Sequence, residues 1–246
     1  MLKNENRFIF NEKYEKKPKK TMLEQCLDRV SEISDFIIVV DNGSDDGSLD
    51  IYKKYDKIIS VKNNKNLSFS DYRDRKYLIG EAKKTESKWM MMVDGDEVFE
   101  DRAVEWVRDF AEKNYDPNKN IRVWFKYINL WRFRSKYRID KWNNSKFSRM
   151  WTLDGLKING SDLHSYDITF DDGKILDYTS PFNVIHYGWA DWKHRIDKSF
   201  RYAVQHANQH QISLYESSNY YVKEDLSESG IILNDANPDW LEEFRK

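Results

Sequence analysis

Apolar and polar positions follow two rhythms along the first hundred residues. Met22, Leu23, Cys26, Leu27 and Val30 recur at the spacing of one helical face, and Thr21-Met22-Leu23-Glu24 places a capping-box signature at its start. Phe36 to Val40 is a continuous apolar run of strand length, as expected of a strand covered on both faces. Trp89 to Val93 is a second run of the same kind. Arg7 to Phe10 is a candidate first strand, Lys57 to Val61 another, and Ser70 to about Lys84 a longer helix. Strand, helix and strand at this rhythm predict an α/β fold with a largely parallel sheet flanked by helices.

Both buried runs stop at an acidic turn. Asp41-Asn42-Gly43-Ser44-Asp45-Asp46-Gly47-Ser48 follows Val40, and Asp94-Gly95-Asp96-Glu97 follows Val93. In open α/β sheets, ligands bind beyond the carboxyl ends of the strands. Two carboxylates one residue apart at such a place suit Mg²⁺ or Mn²⁺, which take hard oxygen ligands and bridge to phosphates. Gly95 lets the backbone and a diphosphate approach closely. A metal there would neutralise charge on a leaving nucleoside diphosphate. An isolated DGDE is more often a solvated turn; its position after a buried strand reverses that preference. The Asp41 cluster does not spell a calcium loop, because Gly43 stands at a ligand position and Asp46 where glycine belongs. Nor does it contain G-x-G-x-x-G. Asp41 is placed to accept hydrogen bonds from a nucleobase or ribose hydroxyl, although such a cluster by itself is an ordinary turn.

The second half is built differently. Residues 121–151 interleave aromatics with Lys and Arg, a mixture that suits a single-stranded nucleic acid, another anionic stackable partner, or a solvated cationic sheet edge. Charge narrows the choice: 41 Lys and Arg nearly cancel 42 Asp and Glu, so no global field favours nucleic acid. An anionic sugar acceptor or a solvated face is the better account. His186 ends the apolar run that begins at Phe182, placed to ligate a metal or meet a phosphate. Beyond it, Trp192, Ile196, Phe200, Ala203 and Ala207 trace one helical face, and the chain after Gln211 is polar. This predicts one domain over residues 1–210, with 211–246 a polar extension packed on it or trailing from it. A single cysteine, Cys26, excludes an intramolecular disulfide and a multi-cysteine zinc site. No apolar run approaches membrane-spanning length and the N-terminus lacks the form of a signal peptide. A cytoplasmic protein is expected, with peripheral membrane contact open to it.

Taken in order, these pieces resemble glycosyltransferase family 2, with its GT-A (Rossmann-like) fold, over about Phe8 to Tyr202. Asn11-Glu12 resembles the N-E after the family's first strand, and Ile37 to Gly47 its IIVVDNGSTDGT segment. Phe69-Ser70-Asp71-Tyr72-Arg73-Asp74 is similar to the F-S-x-x-R-N helix start of the lipopolysaccharide-core subgroup, and Trp89 to Glu97 to its W-I-L-F-L-D-A-D-E. Arg149-Met150-Trp151 and Gly160 to His164 resemble an R-L-F followed by G-x-V-H-E. His186-Tyr187-Gly188-Trp189, then Lys198 and Arg201-Tyr202, resemble the closing H-Y-x-x and K-x-x-R-Y.

The resemblance implies an enzyme of polysaccharide biosynthesis that moves a hexose from a UDP-sugar to a hydroxyl of a glycan or glycolipid, with inversion and with Mn²⁺ or Mg²⁺. It implies donor contacts at Asn11, Glu12, Asp41, Gly43, Ser44, Arg73, Asp94 and Gly95. Asp41 would lie near the uracil, Asp94 near the ribose or metal, and Asp96 on the metal; His186 would complete the metal or diphosphate site. Ser165 stands where the family's Glu is expected, and one extra residue separates Gly160 from His164. The base that deprotonates the acceptor is therefore assigned first to Asp162 and second to Asp167. A sugar-1-phosphate nucleotidyltransferase is excluded by the lack of glycine between Arg7 and Lys20. A glycosyltransferase acting on modified bases of nucleic acid, and an inactive nucleotide-sugar-binding module, are the alternatives.

Overall fold

In the computed structural model of the chain, the described residues are 5–7, 9, 17–65, 70–140, 145–161, 166–191, 195–196, 198–200, 203–204, 207–208, 213 and 232–237. Helix α1 (Met22–Ile33) begins as its sequence requires: the Thr21 hydroxyl accepts from the Glu24 N–H, and the Glu24 carboxylate accepts from the Thr21 N–H. Such a cap stabilises a helix start by roughly 0.5–2 kcal/mol. Strand β1 (Ile37–Asp41) leads through α2 (Ser48–Tyr52) to β2 (Ile58–Asn63), and β1 and β2 pair in parallel. Helix α3 (Asp71–Ala82) is capped by the Ser70 hydroxyl and precedes β3 (Trp89–Met91), β4 (Glu97–Phe99) and α4 (Ala103–Asn114).

The second half supplies the long strands: β5 (Asn120–Trp131), β6 (Phe133–Arg138), β7 (Lys146–Thr152) and β10 (Ile175–His186), with a hairpin of β8 (Leu156–Gly160) and β9 (Tyr166–Phe170) between the last two. A short β11 (Leu233–Asp235) lies antiparallel on β6. The main sheet runs β11-β6-β5-β10-β4, with β7 paired to β5 along the edge away from β10 and β3 beyond β7. Its one parallel pair among the described strands is β5–β10. The expected α/β architecture of a sheet flanked by helices is the one found, but the expected parallel order holds for β1–β2 and β5–β10 alone among the described pairs, since the other strands join antiparallel.

Two packing layers hold the site's strands. Val40, Met90 and Met92 pack with Leu78, Ile79 and Ala82 of α3 in one cluster. Phe99, Val107, Phe110, Val123 and Phe125 form a second, in which α4 covers the sheet. The basic-aromatic stretch is largely absorbed by this architecture: Phe125, Tyr127 and Trp131 are buried, and Arg122, Arg138 and Arg149 pair with carboxylates of the same molecule. The predicted strand over Arg7 to Phe10 lies partly outside the described residues; Ile9, within it, is buried.

Candidate functional site

The carboxyl end of β1 is a turn closed on itself. Asp41 is fully buried; its Oδ1 accepts from the N–H groups of Gly43 (2.9 Å) and Ser44 (2.7 Å), and its Oδ2 from the Tyr52 hydroxyl (2.8 Å). Gly43 has φ +80°, and a Cβ there would stand 2.8 Å from the Lys65 Cα, so the position demands glycine. Burial, and then Asp41, push the Tyr52 hydroxyl far above its ordinary pKa, so it remains a donor.

The carboxyl end of β3 is held from far away in the chain. Arg75 of α3 reaches both oxygens of Asp94, at 3.1 and 3.2 Å, and Arg149 of β7 reaches Oδ2 at 3.1 Å. Arg149 also donates to Glu97 Oε1 (2.5 Å), which accepts from the Tyr127 hydroxyl as well. Glu97 Oε2 in turn accepts from the Asp94 N–H at 3.1 Å and closes the turn. Burial raises the Asp94 acid, but Arg75 and Arg149 outweigh it and hold that carboxyl well below the usual range. For Glu97 the balance is opposite: burial outweighs Arg149 and the acid is raised.

Beside this turn, three polar heads converge. Asp96 Oδ2 lies 3.4 Å from His186 Nε2 at the end of β10, and 3.1 Å from the Lys198 Nζ. His186 Nδ1 is 2.7 Å from Asn129 Oδ1; with that oxygen as acceptor, Nδ1 carries the proton and Nε2 presents its lone pair to the cluster. Gly188 borders the same point. A Cβ there would come within 2.5 Å of Asp96 Oδ2 and of Lys198 Nζ, and 2.6 Å of His186 Nε2. Only glycine leaves this cradle open.

Asp96 and His186 fit a divalent cation of the Mg²⁺ or Mn²⁺ kind, which takes one or two protein ligands and completes its shell with phosphate oxygens and water. Asp94, expected as a further ligand, faces the two guanidiniums. Among the described residues, no three Asp, Glu, His or Cys side chains gather into a metal cluster.

The remaining candidates are distributed as follows. Arg73 bonds its neighbour Asp74 at 2.9 Å, and Arg75, not named by the sequence pattern, is the residue of α3 that meets Asp94. Positions two apart on a helix face different ways, which explains the exchange. Gly95 is buried within the acidic turn. Asp167 is exposed opposite Asn159, whereas the preceding Tyr166 turns its ring to Arg75, 5.3 Å from the guanidinium. Alternation along β9 puts these two side chains on opposite faces of the hairpin. Asn11, Glu12 and Asp162 lie outside the described residues. Arg149 and Lys198 stood in the matching segments without a role. Asn129 carried no signal, since an asparagine inside an apolar strand says nothing of its partner.

Residues 9–164, more than half of the chain, match the family described as Glycosyl transferase family 2. The chain belongs to that family, whose members generally take nucleotide-sugar donors. The curated proteins contain no match. Among solved structures, the chain is similar to the crystal structure of S. aureus TarS 1-349, at 18% identity and a TM-score of 0.36, over 54% of this chain and 43% of that one. It thus spans less than half of that structure's length. No helix among the described residues is long and apolar enough to cross a membrane.

Proposed function

We propose that this glycosyltransferase moves a hexose from a UDP-sugar to a hydroxyl of a glycan or glycolipid, with inversion and with the assistance of Mn²⁺ or Mg²⁺. The observation that carries this reading is the convergence of Asp96, His186 and Lys198 on the cradle at Gly188, beside the arginine-clamped Asp94. An anionic pair next to a cluster of fixed cations is the arrangement a metal-bridged diphosphate requires.

Asp96 and His186 would hold the cation, which when bound neutralises charge on the departing diphosphate. Lys198, whose Nζ contacts the same Asp96 Oδ2 and His186 Nε2, would turn from them to the diphosphate when the cation is held there, adding its charge to that stabilisation. Arg75 and Arg149 keep Asp94 ionised, so its oxygens offer acceptors to a ribose hydroxyl while the turn stays rigid. The Asp41 carboxylate orders Gly43 and Ser44, and this turn faces the uracil. Asp162 is assigned as the base that takes the acceptor proton, with Asp167 second. Attack on the anomeric carbon from the side opposite UDP, through an oxocarbenium-like transition state, gives inversion. The lipopolysaccharide-core resemblance favours a glycolipid acceptor and contact with a membrane surface.

Calorimetric titration of UDP, first with Mn²⁺ and then with EDTA, tests the donor half. Binding is expected to need the metal and to weaken at least about tenfold in Asp96→Asn. Absence of UDP binding in the wild type with Mn²⁺ would overturn the UDP assignment, and binding unaffected by both EDTA and Asp96→Asn would overturn the metal assignment.

A further inference from the structure

The ammonium of Lys198 and a cation held by Asp96 and His186 draw on the same two atoms. Lys198 Nζ lies 3.1 Å from Asp96 Oδ2 and 3.5 Å from His186 Nε2, and those two atoms are 3.4 Å apart. The three heads form a nearly equilateral triangle with Gly188 against it. Their side chains are only 10 to 13% exposed.

With its Nδ1 proton directed to Asn129, the His186 ring has one lone pair to give, at Nε2. An ammonium N–H and a metal ion cannot both take it. A divalent charge beside an ammonium is also repelled far more in so dry a place than in water. Lys198 and the cation are therefore alternative partners of one pair of ligand atoms.

The ammonium has a surface to swing along. Trp189 presents its ring 5.1 Å from Nζ, and is itself stacked on Trp131 with ring centroids 5.6 Å apart. An aromatic face guides an ammonium on its flexible stem but leaves its charge unneutralised. Two other carboxylates of this region are committed elsewhere. Glu5, close enough to feel both Asp96 and Lys198, is bound to Arg7 at 2.9 Å, and Asp94 is clamped by Arg75 and Arg149. An anion brought from outside is what releases Lys198, and a diphosphate that bridges to the cation is such an anion.

We propose that Lys198 is an internal cation that holds Asp96 and His186 until a diphosphate arrives, so that metal binding and diphosphate binding depend on each other. The inference rests on the assignment of Asp96 and His186 as the cation's holders. It adds that Lys198 has two opposed effects. Against Asp96 it opposes the metal; turned to a phosphate, it favours the metal and diphosphate together. By linkage, the factor that UDP adds to Mn²⁺ affinity is the factor that Mn²⁺ adds to UDP affinity, and such couplings run from about 5- to 150-fold.

The test follows free Mn²⁺ by electron paramagnetic resonance as the 246-residue chain is titrated, without UDP and with saturating UDP, corrected for Mn²⁺ bound by UDP itself. Wild type is expected to bind Mn²⁺ weakly alone and at least about fivefold more tightly with UDP. Lys198→Met keeps the length of the side chain and removes its charge. It is expected to bind Mn²⁺ alone about tenfold more tightly than wild type and to lose most of the strengthening by UDP. That variant also deprives a nearly buried Asp96 of its ammonium, so Lys198→Gln, whose amide can still donate to Asp96, is measured beside it and is expected to shift the same way. In both variants Mn²⁺ should raise Tm more than it does in wild type, a gain that a merely weakened fold would not show. Mn²⁺ affinity without UDP that is equal to or below wild type in both folded variants would overturn the proposal, as would a UDP effect that survives intact. Loss of wild-type Mn²⁺ binding in Asp96→Asn would then leave the metal seat standing. No Mn²⁺ binding by wild type even with UDP would overturn the seat and this inference together.

Discussion

The turns after β1 and after β3 contain the same chemistry and end in opposite states. At the first, the Asp41 carboxylate takes its partners from the next eleven residues: Gly43, Ser44 and Tyr52. At the second, the carboxylates of Asp94, Asp96 and Glu97 meet Arg75, Arg149, Lys198 and His186, which arrive from four other parts of the chain. A carboxylate satisfied by local N–H groups becomes a structural cap. A carboxylate cluster compensated by cations on separate elements is held by tertiary packing, and it is the one proposed above as an ion site because its partners can be redirected to a ligand. The difference lies in the origin of the partners and not in the number of acids.

This contrast can be tested by removing one partner at a time. The largest effect is expected for Arg149→Met, which leaves Glu97 and Asp94 buried with less compensation; a loss of about 3–5 kcal/mol in urea unfolding follows. If that variant costs no more than the weakest one below, the β3 turn is not held by distant charge. Next comes Gly43→Ala, where the positive φ and the approach of Lys65 together predict about 1–3 kcal/mol in the same experiment. Tyr52→Phe deletes one hydrogen bond to Asp41 while the two backbone donors remain, and about 0.5–1.5 kcal/mol is expected. The smallest change concerns Cys26, whose thiol donates to the Asp94 carbonyl at 3.6 Å. Burial pushes that thiol well above its usual range, so raising the pH to 9 should not expose a reactive thiolate in the folded protein. Fast reaction with a thiol reagent at pH 9 before unfolding would show that the β3 turn opens.

Much of the framework around the two acidic turns was legible along the chain. The Thr21–Glu24 cap, the apolar runs at 37–40 and 89–92 and the acidic turns that follow them are local patterns, and the structure places each where expected. Arg75 was not legible, since the pattern pointed to Arg73 and only the orientation of α3 on the sheet distinguishes them. The pairing of His186 with Asn129 and Lys198 was equally hidden, because β10 and β5 meet through a register that no short segment encodes. The basic-aromatic stretch shows the converse: its composition suggested a surface for anions, yet pairing of β5 with β7 and β10 turned several of its aromatics inward.

By itself the sequence determined the family, the α/β alternation and the position of acidic turns at strand ends, because each follows from periodicity and from residues adjacent in the chain. Tertiary structure alone decided which cations face which carboxylates, and why Gly188 must be small. Those features depend on distances between elements tens of residues apart, and such distances are set by packing and strand register rather than by any local propensity.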